Sequence, residues 1–176
     1  ADGNHFFIGT GSGLFRAGIG DGRLKLLSDE TVESISTPVH ELYYHVVSKQ
    51  LFIGSYKEGV LIYDMEGTGK IIPCQSPNNV EINQIVALNA HELLVATGGK
   101  GVYKLDVNTC MSEPYITANY SSYNGMNGNN INDIYVDEEE RIWLANYPTG
   151  ITVRNNRYGS YDLIRHSLGN SRSLVN

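Results

Sequence analysis

Phe52-Ile53-Gly54-Ser55, followed by Gly59-Val60, is one copy of a pattern that the chain carries four times. The other copies are Phe7-Ile8-Gly9-Thr10 with Gly13-Leu14, Leu94-Val95-Ala96-Thr97 with Gly101-Val102, and Trp143-Leu144-Ala145-Asn146 with Gly150-Ile151. Successive copies lie 45, 42 and 49 residues apart. A unit of that length, made of short apolar runs and tight turns, is the signature of a β-propeller blade. The sequence therefore predicts an all-β fold, a β-propeller fragment of about four four-stranded blades, because each such unit buries its faces only by stacking on its neighbours.

The third unit shows the plan. Ile82 to Leu88 is an apolar run, Asn89-Ala90-His91-Glu92 a turn, and Leu93 to Thr97 a second run. Gly98-Gly99-Lys100-Gly101 turns again into Val102 to Leu105, and a ragged fourth strand follows near Met111 to Thr117. Four strands joined by hairpin turns make one blade. The second and fourth units repeat the order, which divides a single domain over 1–176 into a partial blade at 1–35, blades at 36–78, 79–126 and 127–170, and the start of a further repeat at 171–176. The first unit opens at the turn Asp2-Gly3-Asn4-His5 and so lacks an innermost strand. The chain stops where a fifth innermost strand would begin, so the expectation is a segment of a longer array with an open sheet edge.

The second strands, Ile142-Trp143-Leu144-Ala145, Leu51-Phe52-Ile53 and Leu93-Leu94-Val95, are apolar at successive positions. Continuous apolarity means that both faces are covered, as stacked blades require. The small residue that follows (Gly9, Gly54, Ala96, Ala145) fits a crowded approach between sheets. The later Gly13, Gly59, Gly101 and Gly150 fit turn positions with positive φ.

Composition narrows the function. Of the 176 residues, 41% are hydrophobic and 18% charged, which fits a packed domain and not a disordered one. The net charge is −6, and no Lys/Arg cluster supplies the basic footprint of a nucleic-acid or anionic-membrane partner. The acidic run Asp137-Glu138-Glu139-Glu140 reads as a solvated hairpin turn. No stretch approaches the length of a membrane-spanning helix, so no direct membrane insertion is expected, and the opening residues are not a signal peptide. The two cysteines, Cys74 and Cys110, form no Cys-x-x-Cys pair. They read as two separate reduced, buried thiols, although each falls late in its repeat and the two could lie on adjacent blades.

One stretch carries a family likeness. Asn130-Ile131-Asn132-Asp133-Ile134-Tyr135-Val136-Asp137, then Arg141-Ile142-Trp143-Leu144-Ala145-Asn146, then Gly150-Ile151, resembles the two-component regulator propeller repeat. That family reads roughly Asn-x-Ile-x-x-Ile-x-x-Asp, then Ile-Trp-Ile-Gly-Thr, then Gly-Leu. The likeness is strong in units one and four and looser in units two and three, where Leu94 and Ala96 replace the usual Trp and Gly and the leading Asn is missing before Val39. The resemblance implies a periplasmic sensor region, the extracytoplasmic part of an inner-membrane hybrid two-component histidine kinase of the Bacteroides type. It also implies glycan sensing, control of polysaccharide-utilisation genes, and a homodimer formed through the parent sensor.

Catalytic patterns are poorly supported. Thr10-Gly11-Ser12-Gly13-Leu14 misses the Gly-x-Ser-x-Gly spacing and lies in a strand-to-strand turn. The same stretch has no helix after it to hold a phosphate. The five histidines, His5, His40, His45, His91 and His166, show no metal-ligand spacing. No cofactor and no metal is expected, and no acid lies in a setting that predicts a raised pKa. Paired acids for glycoside hydrolysis are not readable from sequence, so the competing class is a propeller lyase or glycosidase using channel-lining His40, His45 or Asp133. A protein-interaction scaffold is the third reading.

The candidate binding residues come from the connections. Ala118 to Asn130 is the longest inter-blade linker and is rich in Asn and Tyr. In a propeller it shares a face with the turns between second and third strands. Tyrosine rings stack on apolar sugar faces and amides bond hydroxyls. Tyr56, Lys57, Lys100, Tyr120, Tyr123, Asn127 and Tyr147 are the resulting candidates for an oligosaccharide ligand. A long polar loop is also an ordinary surface connection.

Overall fold

The computed structural model describes residues 5–20, 23–27, 35–65, 70–118, 126, 128–155 and 157–164. Every element among them is a β-strand. The first sheet is β1 (His5–Thr10), β2 (Gly13–Gly20) and β3 (Arg23–Leu27). The second is β4 (Val39–His45), β5 (Gln50–Ser55), β6 (Gly59–Asp64) and β7 (Ile71–Pro73). The third is β8 (Ile82–Ala87), β9 (Glu92–Thr97), β10 (Val102–Asp106) and β11 (Ser112–Ile116). The fourth is β12 (Ile131–Val136), β13 (Arg141–Asn146), β14 (Gly150–Asn155) and β15 (Ser160–Ile164). All pairings within the sheets are antiparallel between sequence neighbours, the meander of propeller blades. The first sheet has three strands among the described residues, and β1 occupies the place of β5, β9 and β13.

The turn glycines behave as their positions require. Gly13, Gly59, Gly101 and Gly150 have φ of 127°, 77°, 82° and 111°, a region that costs an L-residue its Cβ clearance. Each of β4, β8 and β12 carries a bulge at its second residue (His40, Asn83 and Asn132), where the register against the second strand slips. A bulge re-aims the side chains around it. Here the following residues, Glu41, Gln84 and Asp133, stand opposite Gly54, Ala96 and Ala145.

Blades stack through these small residues. A Cβ on Gly9 would meet Val39 Cγ1 at 2.8 Å, and one on Gly54 would meet Ile82 Cγ2 at 2.7 Å. Phe52, Val60 and Ile62 of the second blade are buried with Ile82, Ile85, Leu93 and Val95 of the third. Leu94, Ala96 and Val102 of the third are buried with Ile131, Ile134, Ile142 and Leu144 of the fourth. Arg154 adds a contact farther out, its guanidinium 4.3 Å from the ring of Tyr115.

Two expectations fail. Cys74 and Cys110 are joined in a disulfide between the second and third blades. The reason is a register that sequence does not display. Gln75 and Met111 form a parallel bridge, with Gln75 N donating to Cys110 O and Ser112 N to Gln75 O, both at 2.9 Å. That bridge sets the two Cα atoms 4.8 Å apart, within disulfide range. The acidic run does turn, with Glu140 N bonding Asp137 O at 3.0 Å, but its first carboxylate is not simply solvated. Asp137 accepts from Arg141 Nε at 2.7 Å, from Trp143 Nε1 at 2.8 Å and from two backbone amides.

Candidate functional site

The turns between second and third strands and the linkers between blades meet at one end of the array. Thr97 Oγ1 donates to Gly101 O at 2.7 Å and accepts from Lys100 N at 2.9 Å, which closes the β9–β10 turn from within. Tyr56 N donates to Pro38 O at 3.2 Å and Val80 N to Tyr56 O at 3.1 Å, so the β5–β6 turn is held by the linkers on both sides of it. Gly101 N bonds Asn129 O at 2.8 Å, and Tyr147 N bonds Asn130 O at 3.0 Å. Asn146 Nδ2 reaches Gly128 O at 3.1 Å. Side chains on such turns project from a fixed backbone.

Four of the sequence-predicted binding residues lie on these turns. Tyr56 and Tyr147 are exposed at 45% and 63%, and Lys57 is exposed beside Tyr56. Lys100 is exposed but anchored, its Nζ donating to Asn78 O at 2.9 Å. They share an end of the array, one blade each for Tyr56, Lys100 and Tyr147. Tyr120, Tyr123 and Asn127 lie outside the described residues.

The residues of the competing enzymatic reading are placed differently from one another. His45 is buried, with Nδ1 2.8 Å from Ser48 Oγ and its ring edge-on to Phe52. It is a core residue and lines no channel, which corrects the expectation. His40 sits exposed on the β4 bulge, and Asp133 is exposed on β12. Among the described residues no three His, Cys, Asp or Glu side chains are grouped to hold a metal, and no helix is long and apolar enough to cross a membrane.

Sequence reasoning missed a polar feature of the inner strands. Glu41 Oε1 accepts from Ile85 N of the third blade at 3.2 Å. Gln84 Oε1 accepts from Ile134 N of the fourth blade, and Asn83 Nδ2 donates to Ile131 O at 2.8 Å. These side chains satisfy backbone groups that the inner strand would otherwise leave unpaired between blades. Burial pushes the Glu41 carboxyl above the usual carboxylate range. The amides of Ile85 and Leu42 oppose that less strongly, and the charge of Asp133 adds to the rise. This overturns the expectation that no acid has a raised pKa. The signal available in sequence was the recurrence of Glu, Gln or Asp one place after each bulge.

Two concavities lie on the blades themselves. One, of about 320 Å³, is lined by Glu92, Lys104, Asp106 and Glu113, groups already engaged with one another or their own turn: Lys104 Nζ is 2.8 Å from Glu92 Oε1, and Asp106 Oδ1 accepts from Thr109 N at 2.7 Å. The other, of about 220 Å³, lies on the outer face of the fourth blade.

No protein-family model matches the sequence, and no curated protein matches it. Solved structures do. Two crystal structures of the extracellular domain of BT4673 from B. thetaiotaomicron superpose with a TM-score of 0.68 and 23% identity, over 87% of this chain and 20% of theirs. One describes BT4673 as assigned to the one-component systems and the other to the hybrid two-component systems. The extracellular domain of BT3049 from the same organism, assigned as a hybrid two-component system, matches with a TM-score of 0.53 and 16% identity over 98% of this chain. The chain thus has the β-propeller blade array of these domains and spans between 20% and 28% of the length of these three chains.

Proposed function

We propose that this chain is a non-catalytic input segment of an extracytoplasmic sensor in a two-component signalling protein, with an oligosaccharide as its ligand class. The observation that carries the reading is the superposition of 87% of the chain on an extracellular domain assigned to such a system. Fold alone does not assign function, so two further features matter. The Cys74–Cys110 disulfide suits an oxidising compartment outside the cytoplasm. The exposed rings of Tyr56 and Tyr147, with Lys57 and Lys100 near them in the repeat, offer stacking faces and donors suited to a sugar.

The test is calorimetric titration of the protein with oligosaccharides released from plant and host polysaccharides, with the products analysed in parallel. The expected result is saturable binding with no new reducing ends or unsaturated sugars, weakened by Tyr56→Ala and by Tyr147→Ala. Turnover of a sugar that Asp133→Asn abolishes would establish the enzymatic reading instead.

A further inference from the structure

The last residue of each second strand stands at the turn that leads into the third. Thr10 is opposite Gly13, Ser55 opposite Gly59 and Asn146 opposite Gly150, and Thr97 N bonds Gly101 O at 3.1 Å. Three of these four positions carry a hydroxyl, and each hydroxyl is used. Thr10 Oγ1 donates to Gly13 O at 3.0 Å and accepts from Ser12 N at 3.1 Å. Thr97 Oγ1 closes its own turn in the same way. Ser55 Oγ lies 2.6 Å from Thr37 Oγ1 of the preceding linker.

The fourth blade departs from this. Asn146 is 5% exposed, and its carboxamide is oriented by the bond from Nδ2 to Gly128 O at 3.1 Å. Its Oδ1 is buried and has no hydrogen-bond partner, and neither has the buried Oγ1 of Thr149 in the same turn. Buried oxygens are almost always paired, and leaving one unpaired costs stability. Both orphans flank Gly128. A Cβ built there would meet Thr149 Oγ1 at 3.7 Å and Tyr147 O at 4.0 Å, ordinary contact distances, so the backbone is open on that side. Thr149 itself is half-buried, and rotation to another χ1 well turns its hydroxyl outward without moving the backbone. Between the two orphans stands Tyr147, 63% exposed, with its amide fixed to Asn130 O at 3.0 Å.

The chemistry of these groups selects a ligand. Asn146 Oδ1 only accepts, so it needs a donor, whereas a carboxylate or sulfate only accepts. The Thr149 hydroxyl gives and takes. Residues 128–132 and 142–153 carry no charged side chain, whereas the β5–β6 turn has Lys57 and Glu58 and the β9–β10 turn has Lys100. We propose, resting on the oligosaccharide reading above, that the β13–β14 turn is the sugar-binding site and that it takes a neutral glycosyl residue. One sugar hydroxyl donates to Asn146 Oδ1, a neighbouring one bonds Thr149 Oγ1, and the ring of Tyr147 covers the apolar sugar face. Asn146 and Thr149 are then the residues that set specificity for uncharged sugars.

The test titrates the protein with xylo-, galacto- and malto-oligosaccharides and, separately, with oligogalacturonides and sulfated disaccharides. It compares the wild type with Thr149→Val, Asn146→Thr and Tyr56→Ala, and records thermal unfolding of each. The expected result is binding from the neutral set, weakened about tenfold by Thr149→Val and by Asn146→Thr, the loss of one hydrogen bond each. The unfolding temperature of Thr149→Val should hold or rise, because a methyl group replaces an unpaired oxygen. Undiminished binding in Thr149→Val and Asn146→Thr, with Tyr56→Ala weakened, would overturn this site and leave the oligosaccharide reading standing. A preference for the acidic set would overturn the site as well. So would a fall in the unfolding temperature of Thr149→Val, which would mean that its hydroxyl is paired. A wild type that binds neither set would overturn both.

Discussion

The Glu41 carboxylate of the second blade accepts a hydrogen bond from the backbone N–H of Ile85 in the third, at 3.2 Å. Gln84 makes the equivalent bond to Ile134 with a neutral carboxamide. The two positions do one job with and without a charge, and burial penalises the charge. A carboxyl whose folded pKa is raised binds more protons folded than unfolded, so its stability contribution falls as pH rises from its ordinary value through the folded one. Glu41→Gln is expected to raise the unfolding temperature at neutral pH by up to about 4 °C, the shift that roughly 1 kcal/mol makes in a domain of this size. The gain should vanish below the ordinary Glu range, which thermal unfolding across pH will show.

Asp137 has the opposite sign. Burial pushes its carboxyl up, but the bonds from Trp143 and Arg141 outweigh that and bring it from 3.8 to about 2. Its contribution is therefore present above the unfolded value and lost as pH falls through about 2. Asp137→Asn is expected to lower stability at neutral pH and to flatten the loss of stability in acid. Denaturant unfolding of both proteins from neutral to strongly acidic pH checks the slope, and parallel curves would refute the assignment.

The disulfide closes a sequence separation of 36 residues. A cross-link of that span restricts the unfolded chain and contributes about 2–4 kcal/mol. The double variant Cys74→Ser, Cys110→Ser is expected to unfold at correspondingly lower denaturant. Thiol titration of the unfolded wild-type protein should find no reactive thiol until reductant is added.

Gly54 has no room for a side chain. An added Cβ would lie 2.7 Å from Ile82 Cγ2 and 2.9 Å from Ile82 Cβ, and forcing apart a packed contact costs about 1–3 kcal/mol. Gly54→Ala is expected to destabilise by that amount. Gly11→Ala, where nothing lies within 4 Å, should be close to neutral. Equal effects in the two variants would mean that the blades are not packed through Gly54.

The fold was legible because its signals are local. The apolar second strands, the small residue after them and the turn glycines each follow from one or two neighbours in sequence. The structure gives the turn glycines positive φ and buries β5 and β9 continuously as read, whereas β13 alternates and leaves Trp143 and Ala145 half-buried, so the expected cover on both faces fails there among the described residues. The features that were not legible depend on register between blades. The Cys74–Cys110 pair needs the parallel bridge of Gln75 and Met111, and the clasps of Glu41 and Gln84 need the bulges at His40 and Asn83 to aim them. His45 looked available because it lies on the first strand of its unit, yet it is buried against Ser48 and Phe52. Of the candidate binding residues, Tyr56, Lys57, Lys100 and Tyr147 were found from turn positions. The repeat already set them on three different blades, with Tyr56 and Lys57 together on one.

The reading of this chain as part of a sensor is tested most directly by sequencing the gene on both sides of the segment. The account predicts further copies of the repeat, one membrane span and a histidine kinase in the same reading frame. A frame holding these blades with neither span nor kinase would contradict it.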